Sequence, residues 1–113
     1  MLELSITEAD HGKSFFLNLG TRIRITLREN PTTGFRWNLT NYNETILKLE
    51  SNDFVLQPET QIGGGGMRQL CFVTLASGKS IVELKKTRAW EKEVPEKNMF
   101  AVTVVVEAIV PKA

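Results

Sequence analysis

His and Cys are the side chains most often used for acid–base and nucleophilic chemistry near neutral pH, and this 113-residue chain has one of each, His11 and Cys71. A reactive thiol needs a neighbouring base or cation to lower its pKa. Around Cys71 the sequence offers Gln69, Leu70, Phe72 and Val73, an apolar strand, so Cys71 is expected to be a buried structural thiol. His11 lies in the turn-like run Asp10-His11-Gly12-Lys13 and is expected at the surface. One His and one Cys cannot assemble a typical zinc site. Gly78-Lys79-Ser80 resembles the end of a phosphate-binding loop, yet Val73 stands where that loop needs its first glycine, and no helical pattern follows. Glu91, Glu93 and Glu96 are mixed with lysines as in a solvated loop. No catalytic residue, metal or cofactor is expected, and the chain reads as a non-enzyme.

Chemistry of another kind, suited to contact rather than reaction, is concentrated in three short stretches. In Asn30-Pro31-Thr32-Thr33-Gly34, Pro31 fixes its own φ and pushes Asn30 towards an extended conformation, while Gly34 permits a positive φ. Thr32 and Thr33 between them are stiff at χ1 and present hydroxyls and methyls in few orientations. The second stretch is Gly63-Gly64-Gly65-Gly66, and the third is Arg88-Ala89-Trp90. Each also has a plainer reading: an ordinary tight turn, a flexible connection, and a tryptophan at the rim of the core.

The elements that must carry these stretches have a period of two nearly everywhere. Leu2, Leu4 and Ile6 alternate with polar residues, as do Phe15, Leu17 and Leu19, then Ile23, Ile25 and Leu27. Phe35 to Leu39 leaves the first stretch as a strand. Residues 40–50 are ambiguous: Ile46, Leu47 and Leu49 fit a short strand or one helical turn. Phe54 to Leu56 reads as a strand stopped by Pro58, and Met67 to Ala76 is strongly β. Ser77 to Ser80 is a turn, Ile81 to Lys86 a strand, Thr87 to Asn98 a polar stretch, and Phe100 to Val110 the closing strand. Short strands, frequent turn signals and one-sided apolar faces predict an all-β antiparallel sandwich of seven to nine strands, in a single domain over 1–113.

Composition adds boundaries. A 42% hydrophobic and 24% charged chain is ordinary for a soluble globular protein. A net charge of +1 calls for no nucleic acid and no membrane as partner. No apolar run approaches the roughly 20 residues of a membrane span. The lone cysteine excludes an internal disulfide, fits a reducing compartment and offers no covalent dimer, so the free chain is expected to be a monomer. Met1 to Ser5 has no signal-peptide pattern. A cytoplasmic location follows if Met1 is the natural start, and a lysosomal, vesicular or secreted one if a signal was removed.

In order and spacing, the three stretches resemble the chagasin family of cysteine-peptidase inhibitors. The family pattern N-P-T-T-G-aromatic appears as Asn30-Pro31-Thr32-Thr33-Gly34-Phe35, its G-x-G-G as Gly63-Gly64-Gly65-Gly66, and its R-P-W as Arg88-Ala89-Trp90. Trp37, Phe72 and the Gly78 turn match as connecting features, and Ala89 stands where the family has proline. The resemblance implies an immunoglobulin-like sandwich whose BC, DE and FG loops gather at one end and enter the cleft of papain-like (cathepsin L- or B-like) peptidases reversibly, without being cleaved. It implies Thr32 and Thr33 over the catalytic Cys–His pair, Ile62 offered to the S2 pocket with the glycines along the non-primed cleft, and Arg88 and Trp90 on the primed side. The alternative reading is an immunoglobulin-like recognition or adhesion module that inhibits nothing.

Overall fold

The computed structural model describes residues 2–30, 34–56, 65–88 and 98–108. Among these, eight strands follow in order: β1 Glu3–Thr7, β2 Ser14–Asn18, β3 Arg22–Glu29, β4 Arg36–Asn41, β5 Leu47–Leu56, β6 Gly66–Thr74, β7 Gly78–Thr87 and β8 Met99–Glu107. A three-residue 3-10 turn, Glu8–Asp10, lies between β1 and β2. The strands form two four-stranded sheets, β1-β3-β6-β5 and β2-β8-β7-β4. Their stacking is the sandwich that the strand pattern predicts, immunoglobulin-like as the family resemblance implies.

Alternation makes the sandwich. Along β3 the burial pattern switches at every residue, sending Ile23, Ile25 and Leu27 inward while Arg22, Arg24 and Thr26 face out. On β8, Phe100, Val102, Val104 and Val106 do the same from the facing sheet. Leu70 and Phe72 of β6 and Val82 and Leu84 of β7 complete the centre of the core. Each such side chain, fully removed from water, contributes about 1.5–3 kcal/mol, so the middle of the sandwich is held by apolar burial. The exposed ion pairs, such as Lys13–Asp10 at 2.9 Å, add little.

Most pairings are antiparallel, but β1 runs parallel to β3 and β2 parallel to β8. The chain changes sheets between β1 and β2, through the 3-10 turn and Gly12, whose φ is +82°. His11 secures that crossing. It is exposed, as expected, but its Nδ1 accepts the Ala101 N–H at 3.0 Å and its ring lies 5.9 Å from that of Phe100.

Some local expectations change. Gly78 to Ser80, expected in a turn, open β7. Ile46 ends a turn, and Leu47 and Leu49 join the strand at Phe54 in one ten-residue strand, β5, with a register shift between Leu49 and Ser51. That irregularity breaks the alternation and hides the continuity of the strand. Cys71 is half-buried rather than buried. It pairs with Arg24 and Ser51 in the phase of β6 opposite to Leu70 and Phe72, so it sits on the outward side of the sheet.

Candidate functional site

Strand direction decides where the three singled-out stretches lie. β3 and β5 are both antiparallel to β6, and β4 and β8 are both antiparallel to β7. The β3–β4, β5–β6 and β7–β8 connections therefore leave the sandwich at the same end. These connections hold 30–35 (loop 1), 62–66 (loop 2) and 88–90 (loop 3). Pro31, Thr32, Thr33, Ile62, Gly63, Gly64, Ala89 and Trp90 lie outside the described residues. Asn30, Gly34, Phe35, Gly65, Gly66 and Arg88 are described, and they form the roots from which the loops spring.

Loop 1 is fixed at both roots. Gly34 has φ +81°, the left-handed conformation that a side chain would resist. On the incoming side, β3 ends in Glu29, which is buried at 4% exposure. Its Oε1 accepts the backbone N–H of Trp37 at 2.6 Å, on the outgoing side of the loop. Trp37 is buried at 5%, and its indole N–H donates to the carbonyl of Arg28 at 2.7 Å. Two hydrogen bonds thus close the base of loop 1 across β3 and β4, one to a charged side chain and one from an indole.

Loop 2 is anchored by packing. Gly66 is the first residue of β6, buried, paired with Glu29 on one side and Leu56 on the other. A Cβ at Gly66 would fall 2.5 Å from the Phe54 ring and 2.5 Å from the Val55 carbonyl oxygen. The last glycine of the run is therefore needed by the fold itself, because two strands and an aromatic ring close on it.

Loop 3 leans on loop 1. The Arg88 guanidinium carbon lies 4.1 Å from the centroid of the Phe35 ring, within cation–π range. Two residues down the pair of strands, Lys86 of β7 is paired with Trp37 of β4 and holds its ammonium 5.5 Å from the indole. A hollow of about 470 Å³ lies at this end of the sandwich, and its lining includes Glu29 of β3, Gly34 and Phe35 at the outgoing root of loop 1, Phe54 and Arg68 from the strands of loop 2, and Thr87 from that of loop 3. All three sets of roots converge on it.

The structure adds Glu29, Trp37, Arg68 and Phe54 to the residues that build this end. Of these, the sequence marks Trp37 as a connecting feature and Phe54 as the start of a strand. Glu29 carried a signal nonetheless: it is a carboxylate in phase with the apolar face of Ile23, Ile25 and Leu27, immediately before a loop. Arg68 stands likewise in phase with Leu70 and Phe72. A charge on the buried phase of a strand needs a buried partner, and each is the other's.

Proteins similar to this chain include peptidase inhibitors. The family model described as Chagasin family peptidase inhibitor I42 matches residues 17–104. The chain is 28% identical over 103 residues to Chagasin of Trypanosoma cruzi, covering 86% of this chain and 92% of that protein. It is 27% identical over 88 residues to Amoebiasin-2 of Entamoeba histolytica, covering 77% of this chain and 72% of that one. The crystal structure of the cysteine protease inhibitor EhICP2, from Entamoeba histolytica, superimposes with a TM-score of 0.84 at 25% identity, over 95% of this chain and 97% of that one. PbICP-C, solved in complex with falcipain-2, shares the fold at a TM-score of 0.62 and 13% identity, over 96% of this chain and 100% of that one. The match spans most of the chain and takes in all three loop roots, and on it the chain belongs to the chagasin family of peptidase inhibitors, not to an enzyme family.

Proposed function

We propose that this protein inhibits papain-like cysteine peptidases reversibly, by placing loops 1, 2 and 3 together in the active-site cleft. One observation carries the reading: in a chain of this inhibitor family, the roots of all three loops leave the sandwich at one end and are braced there by Glu29, Trp37 and the Arg88–Phe35 contact. A wedge held by its own framework loses less conformational entropy on docking than a free peptide.

In this reading Thr32 and Thr33 stand over the catalytic Cys–His pair. Loop 2 runs along the non-primed cleft, where glycines let the two backbones approach, and Ile62 enters an apolar S2 pocket. Arg88 and Trp90, types enriched among binding hot spots, cover the primed side. Arg88 has two tasks, since its guanidinium also steadies Phe35. The buried area expected is about 800 Å² on each partner, the standard size for protease–inhibitor pairs.

Alanine substitution with papain as the probe tests this. Thr32→Ala, Ile62→Ala and Trp90→Ala are each expected to raise the inhibition constant, whereas Ser5→Ala, on the outer face of β1, leaves it unchanged. Losses confined to the sheet face, with the loop variants fully potent, would overturn the reading.

A further inference from the structure

Glu29 and Arg68 lie in the layer of the sandwich next to the loops, where the apolar core stops. Arg68 Nη2 donates to Glu29 Oε2 at 2.7 Å and Arg68 Nε to Oε1 at 3.3 Å, a two-point grip between side chains only 12% and 3% exposed. The guanidinium also donates from Nη1 to Asn52 Oδ1 at 3.3 Å and lies 5.9 Å from the Phe54 ring centroid. The Glu29 Oε1 that meets Arg68 is the same atom that accepts the Trp37 N–H.

A buried ion pair is a weak source of net stability, because desolvating two charges offsets most of their attraction, and an apolar pair of similar size often serves as well. Direction is what an apolar pair cannot supply. A carboxylate held by a guanidinium at two points has a fixed orientation. Glu29 reaches both roots of loop 1, being next to Asn30 and bonded to Trp37. Arg68 reaches both strands of loop 2: it is on β6 two residues after Gly66, and it is paired across to Phe54 on β5.

We propose that Glu29 and Arg68 are positioning residues that lock loop 1 and loop 2 into one fixed relation, so that the two loops bind as a single unit. The consequence for inhibition rests on the function proposed above; the linkage between the loops stands on the geometry alone. When a binding-competent arrangement is populated only part of the time, apparent affinity falls by that fraction although no contact with the partner is lost. Opening the link therefore weakens inhibition mainly through slower productive association.

Two variants separate positioning from stability. Glu29→Gln keeps an oxygen for the Trp37 N–H but removes the carboxylate that Arg68 grips. The double variant Glu29→Gln/Arg68→Met leaves no unpaired charge buried, so it carries the test if the single variant folds poorly. For each, the thermal midpoint, the amide order parameters and the papain inhibition constant are measured. In the double variant, the midpoint is expected to stay near wild type and the order parameters to fall at Gly34, Phe35, Gly65 and Gly66. Those of Val102 and Val104 on β8 are expected to remain at the rigid-backbone value of about 0.85. The inhibition constant is expected to rise about tenfold. Unchanged order parameters at the loop roots of the folded double variant would overturn the proposal. So would a large drop in midpoint with mobility rising equally on β8, which would assign the pair to stability. If wild type fails to inhibit papain, the inhibitory reading falls, and the order parameters still decide the linkage.

Discussion

The Arg88 guanidinium carbon stands 4.1 Å from the centroid of Phe35, so the first residue of loop 3 rests on the last residue of loop 1. Neither residue is free to serve a partner alone, since moving one moves the other. A cation–π contact of this kind is worth about 0.5–2 kcal/mol, depending on how dry it is. Phe35→Leu and Arg88→Met are each expected to weaken papain inhibition several-fold. In a double-mutant cycle they should show a coupling energy of at least about 0.5 kcal/mol. Strict additivity of the two losses would show that loops 1 and 3 act independently.

Gly66 permits a close approach that no other residue matches. A methyl there would meet the Phe54 ring and the Val55 carbonyl oxygen, both at 2.5 Å, and a backbone atom cannot turn aside as a side chain can. Gly66→Ala is expected to destabilise the fold by about 1–3 kcal/mol, the usual cost of overpacking, which a thermal melt would register as a loss of several degrees. A melt superimposable on wild type would mean that β5 yields easily at this point.

Trp37 closes the base of loop 1 through its indole N–H, 2.7 Å from the Arg28 carbonyl. Phenylalanine fills much of the same space but leaves that carbonyl without its donor. Trp37→Phe is expected to cost about 1–3 kcal/mol and to weaken inhibition, because the freed carbonyl lies at the root of loop 1. Denaturant titration checks the first effect and papain kinetics the second. Full stability would show that water replaces the indole without loss.

Much of this was legible in the sequence, for reasons visible in particular residues. The alternation of Ile23, Ile25 and Leu27 with Arg22, Arg24 and Thr26 reports a strand with one buried face whatever lies around it, and the motif residues mark the loops. The continuity of β5 was not legible, because the register shift at Leu49–Ser51 breaks the period that would have revealed it. The half-exposure of Cys71 was hidden because Leu70-Cys71-Phe72-Val73 is an unbroken apolar run, in which no polar residue marks Cys71 and Val73 as the outward phase. The bracing of the loops was only partly visible: Glu29 and Arg68 announce themselves as charges on apolar faces, but their pairing depends on β3 lying beside β6, a relation of residues 39 positions apart.

The crossing from β1 to β2 carries a pH dependence of its own. Asp10 Oδ2 accepts the Thr7 backbone N–H at 3.0 Å, and Lys13 donates to Oδ1 at 2.9 Å. The backbone hydrogen bond first, and Lys13 second, hold the Asp10 carboxyl below the usual aspartate pKa. A carboxyl lowered in the folded state contributes stability above its unfolded pKa and loses it as pH falls through the folded one. Asp10→Ala should therefore melt below wild type near neutral pH, and the gap should close as pH drops through and below the ordinary carboxylate range. A gap that stays constant with pH would assign the loss to packing rather than to charge.

The central claim is that the loop-bearing end closes the cleft of a papain-like peptidase. Its most direct test is a titration of papain activity with this protein, using a small fluorogenic substrate, a serine protease as control, and an intact-mass measurement of the inhibitor afterwards. Stoichiometric loss of papain activity is predicted, with the serine protease untouched and the chain uncut. Full papain activity at micromolar protein, or cleavage of the chain within its loops, would contradict the account.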